Sequence, residues 1–278
     1  MAQPTTILCG SLSLHPVSLG AAMHRAGYSA LGLDYSYVPF KISDVKGALT
    51  GMRALGIRGF GVSMPFKLEV IPELDHLDEL AARIGAVNTI VNDAGVLTGY
   101  NTDASGAARA LGEVLPFAGQ RICLIGAGGA ARAVAYALCS EGLSVHIVNR
   151  TAAGAERLAG ELRDRYGWPA SAGSLAELAD LRSFAALVNA SSAGMLEYGA
   201  DSPVPAQTLH RDLVVMDIVY KPLRTTLIES AERAGARTVH GGRMLLHQAC
   251  RQFELYTGQC APVAEMDRAL CAHSDAQG

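Results

Sequence analysis

The sequence predicts an α/β protein of two domains, the second built on a doubly wound parallel sheet. Three observations carry that expectation. The chain has 278 residues, half of them hydrophobic, enough for one large or two moderate domains with real cores. Short apolar runs alternate with helical patterns through residues 1–100. At residues 121–132 the apolar run Arg121-Ile122-Cys123-Leu124-Ile125 passes directly into Gly126-Ala127-Gly128-Gly129 and an alanine-rich helix.

In the first part, residues 6–9 and 34–39 read as strands, with a helix between them near 19–27. Residues 41–55 read as a second helix, because Val45, Leu49, Met52 and Leu55 recur at helical spacing. Residues 59–64 form a strand that Pro65 terminates. Residues 89–92 and 96–100 pair as a hairpin around Asp93-Ala94-Gly95. A helix over 104–115 then leads to Pro116 and the glycine-rich run.

Each part of that run suits a dinucleotide. Gly126 permits the tight turn, Gly128 lets the backbone approach a pyrophosphate, and Ala131 keeps the helix close to the sheet. The free N–H groups and positive dipole end of the helix then face the phosphates. A second apolar strand at 144–148 follows at the spacing of one βαβ unit. A strand–helix turn with no ligand is the alternative. After the second strand, where NAD sites carry an acid for the ribose 2′-OH, the chain has Asn149-Arg150-Thr151. A neutral Asn followed by Arg favours the 2′-phosphate of NADP, through a bidentate guanidinium; a solvated loop Arg is the other reading. Further strands are expected at 187–189 and 214–218. After His240-Gly241-Gly242 a long helix over 244–256 is surplus to a nucleotide domain and should return to the first one. The expected division is therefore 1–103 completed by 242–278, with 104–241 as the dinucleotide domain.

Composition excludes other classes. A formal charge of -3, with no Lys or Arg run, argues against nucleic-acid or anionic-membrane partners. Cys9, Cys123, Cys139, Cys250, Cys260 and Cys271 show no metal-ligand spacing, so no metal is expected. They suit a reducing cytoplasm, and no apolar run reaches membrane-spanning length.

The chemistry is expected around Val62-Ser63-Met64-Pro65-Phe66-Lys67. Pro65 suits the first turn of a helix, which would place Lys67 where the dipole opposes a cation and lowers its pKa. The plain alternative is an exposed Lys. Gly99-Tyr100-Asn101-Thr102-Asp103 offers either a helix cap or a carboxylate able to orient Lys67. Gly85-Ala86-Val87-Asn88-Thr89 offers an amide to a polyol, or only a turn. Gln248 shares a helix face with Met244 and Gln252, as a core amide or a substrate contact.

These strings, with NRT, Asn189-Ala190-Ser191-Ser192-Ala193-Gly194-Met195, Asp217-Ile218-Val219-Tyr220 and MLLHQA, resemble the shikimate dehydrogenase family, in family order over nearly the whole chain. The resemblance implies a substrate domain followed by a Rossmann domain. It also implies nicotinamide-dependent interconversion of shikimate and 3-dehydroshikimate, with Lys67 and Asp103 as the catalytic pair. Substrate contacts fall on Ser18, Ser63, Asn88, Tyr220 and Gln248. Cofactor contacts fall on Gly126, Ala127, Gly128, Gly129, Ala130, Asn149, Arg150, Thr151, Ala190, Ser191 and Ile218. The implied partner is a small cyclic hydroxy acid, bound by a monomer or homodimer.

Three departures stand out. Against the family's Ser-x-Ser-Pro-x-x-His, this chain has Ser18-Leu19-Gly20-Ala21-Ala22-Met23-His24, so one hydroxyl is missing. The family's Asn-x-Thr before Pro-Phe-Lys becomes Gly61-Val62-Ser63, losing an amide. A second phosphate clamp, often basic, is Gly154, so NAD should also be used. Together with SMPFK, Ile90-Val91-Asn92-Asp93 and Phe253-Glu254-Leu255-Tyr256-Thr257, these make the chain resemble the divergent shikimate dehydrogenase-like subgroup. A quinate or other hydroxy-acid dehydrogenase and a nucleotide-sensing binding protein are the rival readings.

Overall fold

The computed structural model describes residues 6–16, 18–63, 65–196 and 199–275. The chain divides into two compact units, 1–102 with 246–278 and 103–245.

The first unit opens β1 (Ile7–Ser13), α1 (Leu19–Ala30), β2 (Tyr35–Lys41), α2 (Val45–Ala54), β3 (Gly59–Val62). It continues through β4 (His76–Leu77), α3 (Glu79–Ile84), β5 (Thr89–Asp93) and β6 (Val96–Tyr100). Its sheet runs β2-β1-β3-β5-β6-β4, with β5 antiparallel to both β3 and β6. The helix expected from residue 41 begins at Val45 instead. Lys41 completes β2, and Asp44 caps the helix by accepting from the Gly47 N–H at 2.9 Å. Leu49 and Met52 on its buried face join Leu12, Phe60 and Val62 in one core. Truncating such a fully buried side chain costs roughly 2–5 kcal/mol.

A second correction concerns Pro65. No helix starts there: β3 ends at Val62, and residues 65–70 form turns. Met64, the expected strand end, lies outside the described residues. The Phe66 N–H donates to Ser63 O, the Val87 N–H donates to Lys67 O at 2.9 Å, and the Phe66 ring is buried. These ties hold the segment without a helix, so the dipole argument for Lys67 falls.

The chain leaves the first unit in α4 (Thr102–Gly112) and re-enters it within α8 (Gly241–Thr257), followed by α9 (Val263–Asp275). Both long helices start earlier than the sequence suggests, α4 at Thr102 and α8 at Gly241.

The second unit contains β7 (Arg121–Ile125), α5 (Gly129–Ser140), β8 (Ser144–Val148), α6 (Ala152–Tyr166) and β9 (Ala170–Gly173). β10 (Ala186–Asn189), β11 (Val214–Asp217), α7 (Thr226–Arg233) and β12 (Arg237–Val239) complete it. All its strands are parallel, in the order β12-β11-β10-β7-β8-β9. That is the doubly wound order with its reversal between β7 and β10, where such sheets bind ligands beyond their carboxyl ends.

Candidate active site

At the switch point, Gly126 has φ +114, and a β-carbon there would lie 2.8 Å from the Ala190 carbonyl oxygen. The Ala190 N–H donates to Ile125 O at 2.9 Å, so the turns after β7 and β10 touch through their backbones. Only glycine allows this approach. Gly128 differs: its φ of -81 and ψ of -173 are ordinary, and a β-carbon would meet no atom within 4 Å. Nothing among the described residues demands glycine there. The space lies at the N-cap of α5, beside the exposed residues Gly129 and Ala130, where a helix N-terminus favours an anion. These residues fit a dinucleotide pyrophosphate. Arg132 would oppose the dipole in that first turn, but Glu161 pairs with it at 2.7 and 2.5 Å. The same hydrogen bonds hold the Glu161 carboxyl below its usual range.

At the end of β8, Asn149 donates to Thr151 O at 3.1 Å and Arg150 is exposed. Asn149 Nδ2 and Ala127 Cβ both border Gly154, at 3.1 and 3.5 Å from where a β-carbon would stand. The loops after β10 and β11 are fixed by two buried residues to which the sequence attached no role. Asn189 accepts from the Ser191 N–H and hydroxyl at 3.1 and 2.7 Å, and donates to Ala193 O. It also donates to Asp217 at 3.0 Å. Asp217 in turn accepts from Thr225 Oγ1 at 2.6 Å and from the Val219 N–H at 3.1 Å. Burial pushes the Asp217 carboxyl up, against these hydrogen bonds. Ile218 is half-buried and Tyr220 exposed just beyond.

In the first unit, Asn88, Thr102 and Gln248 come together from three elements. Asn88 Oδ1 accepts from the Thr102 N–H at 2.7 Å, and its Nδ2 donates to Thr102 Oγ1 at 3.0 Å. Thr102 Oγ1 lies 3.5 Å from Gln248 Oε1. Thr102 is therefore the first helical residue, with its N–H held by Asn88, rather than the cap the sequence suggested. Asp103 follows in the first turn of α4, half-buried, also inside the helix rather than capping it. Lys67 is half-buried and Ser63 exposed. Ser18 is exposed, with its Oγ 2.9 Å from His273 Nε2. Ser13, at the end of β1, has a buried hydroxyl with no hydrogen-bond partner among the described residues. Ser13 lies one register step beyond the Leu12–Val62 pair, beside Ser63. Gly20 sits in the first turn of α1 with open space around its β position, so no packing demands glycine there.

Among the described residues, no group of three or more His, Cys, Asp and Glu could hold a metal ion. No described helix is long and apolar enough to cross a membrane.

Comparison with known proteins covers both units. Residues 15–90 match the family described as "Shikimate dehydrogenase substrate binding domain". Residues 107–218 match "Shikimate / quinate 5-dehydrogenase", and 241–271 match "Shikimate 5'-dehydrogenase C-terminal domain". The shikimate dehydrogenase (NADP(+)) of Methanothermobacter thermautotrophicus is 43% identical over 263 residues, covering 92% of this chain and 93% of that protein. A crystal structure of a shikimate dehydrogenase with NADP+ superposes with TM-score 0.89 at 37% identity, covering 96% of each chain. The Listeria monocytogenes shikimate 5-dehydrogenase, in complex with shikimate and NAD, gives 0.88 at 36% identity, covering 95% of this chain and 96% of that one. Strand order, switch-point glycines and these matches agree, and the chain belongs to the shikimate dehydrogenase family.

Proposed function

We propose that this protein is an NAD(P)-dependent oxidoreductase that interconverts shikimate and 3-dehydroshikimate. The observation that carries the substrate class is the cluster of Asn88, Thr102 and Gln248. Neutral donors and acceptors converging from the bend before β5, from α4 and from α8 suit a polyol. A polyol presents hydroxyls that both give and take hydrogen bonds.

Oxidation removes a hydride from the carbinol carbon and a proton from its hydroxyl. The bound nicotinamide supplies hydride acceptance in one direction and donation in the other. Lys67, as the neutral amine, takes the hydroxyl proton in oxidation and returns it as the ammonium in reduction. Asp103 holds the amine's orientation and hydrogen-bonds the substrate. Ser18, Ser63 and the buried hydroxyl of Ser13, unpaired among the described residues, are the donors for the substrate carboxylate, and Tyr220 is a further contact.

Gly126 through Ala130 receive the pyrophosphate, Ala190, Ser191 and Ile218 border the nicotinamide half, and Asn149, Arg150 and Thr151 hold the adenosine ribose. NADP is favoured over NAD by Arg150. Because Gly154 adds no second cation, the preference is modest and NAD is used as well. Six unpaired thiols suit a cytoplasmic enzyme.

Initial rates with shikimate and quinate, each paired with NADP and NAD, test the assignment: shikimate with NADP should give the highest kcat/KM. Lys67→Ala should lower kcat by about a hundredfold or more while substrate affinity changes less. A Lys67→Ala enzyme with near wild-type turnover removes Lys67 from the mechanism.

A further inference from the structure

The amide missing from β3 has a counterpart on α8. We infer that Gln252 is a positioning residue for the substrate, its carboxamide seated over Gly61 and orienting Asn88 through Thr89. The inference rests on the reading of Asn88 as a substrate contact.

Gly61 is buried in β3 and pairs with Thr89 of β5. A β-carbon at Gly61 would stand 3.2 Å from Gln252 Nε2, 3.6 Å from its Oε1 and 3.1 Å from Tyr37 Oη. The carboxamide thus occupies the place where a side chain at 61 would begin. Two residues earlier, Gly59 lies under the ring of Tyr256, one helical turn beyond Gln252. Two bare positions on one face of β3 let α8 settle onto the strand with Gln252 and Tyr256 pressed against it.

Gln252 is 4% exposed, and its amide is engaged at both ends. Nε2 donates to Thr89 Oγ1 at 3.0 Å and, more loosely, to Asn88 O at 3.4 Å. Oε1 accepts from His24 Nε2 at 3.3 Å. Thr89 Oγ1 then donates to Asn88 Oδ1 at 2.9 Å. Because the Thr102 N–H also donates to that oxygen, the Asn88 carboxamide has one orientation, with Oδ1 as acceptor and Nδ2 as donor. Gln252 holds the Thr89 end of this chain. Without it, a buried hydroxyl loses the donor that directs its own hydrogen toward Asn88 Oδ1, and it is free to turn to Thr102 Oγ1, 3.1 Å away.

The test is a cycle on the intact protein. Gln252→Ala should raise KM for shikimate about tenfold, with KM for NADP and kcat changing less than about twofold. Gly61→Asn in the Gln252→Ala background, which returns an amide from the strand side, should recover a large part of that loss. Gly61→Asn alone should impair the enzyme, because Gln252 already fills the space. Amide exchange at Thr102, whose N–H Asn88 holds, should quicken about tenfold in Gln252→Ala. If Gln252→Ala does not fold, Thr89→Val removes the same link and carries the same expectations. A folded variant with unchanged substrate KM and unchanged Thr102 exchange overturns the inference, as does a Gly61→Asn effect equal in both backgrounds. Should the wild type turn over neither shikimate nor quinate, the functional reading fails. Thr102 exchange then still decides the role of Gln252.

Discussion

Gly128→Ala separates a dinucleotide site from a merely structural turn. The backbone at Gly128 is extended, and its β position meets no chain atom within 4 Å, so alanine fits the fold. The folding cost is confined to a poorer N-cap residue, about 1 kcal/mol or less. A pyrophosphate oxygen accepting from an N–H here would sit about 2.9 Å from the nitrogen, and the new methyl group would crowd it. Losing one charge-assisted hydrogen bond, at about 1.5–3 kcal/mol, weakens binding roughly ten- to hundredfold. NADP and NAD share the pyrophosphate, so both should weaken alike. Titration of each cofactor against wild type and variant, with thermal melts alongside, reads both quantities. Gly126→Ala is the contrasting control. At φ +114, with Ala190 O 2.8 Å from the new carbon, strain and overpacking should destabilise the protein by roughly 2–5 kcal/mol. Wild-type affinity for both cofactors in Gly128→Ala, with Gly126→Ala unstable as expected, would refute the placement.

Arg150→Ala should weaken NADP about tenfold or more and leave NAD within about twofold, because only NADP carries the 2′-phosphate; equal losses contradict its assignment. Gly20→Ser should be tolerated, since its β position is open, and should lower KM for shikimate by up to about tenfold by restoring a hydroxyl. If KM stays unchanged there and rises in Ser13→Ala, the carboxylate is held at the end of β1. His24 gives a pH prediction. Burial depresses its pKa from 6.5 to about 4, against the Gln252 hydrogen bond. Between those values the unfolded chain binds a proton that the folded protein refuses, so stability falls as pH drops through the window. The full effect is about 3 kcal/mol, of which roughly two-thirds is reached by about pH 5. Urea unfolding of wild type and His24→Asn should therefore diverge below about pH 6.5, the variant losing less stability; parallel curves would exclude His24 as the source.

The β7–Gly126–α5 segment was legible in the sequence because every signal for it is local. The strand is a continuous apolar run, the turn needs glycine for its own backbone, and the helix follows from propensity. The hairpin of β5 and β6 and the buried stripe of α2 were legible for the same reason. Other elements exist only through their neighbours. β9 is Ala-Ser-Ala-Gly, with no strand signal of its own, and is a strand because it pairs with β8. Pro65 carries a helix-start signal, yet tertiary ties at Phe66 and Lys67 hold the segment in turns. The buried pair Asn189 and Asp217 stood inside legible motifs, but their hydrogen bonds join loops 28 residues apart. Helical spacing alone placed Gln248 and Gln252 on one helix face. Which of them reaches toward Thr102, and which fills the space above Gly61, was decided by how closely α8 approaches β3. That approach depends on the absence of two side chains in β3, and a contact made possible by missing atoms carries no signal in the helix that exploits it.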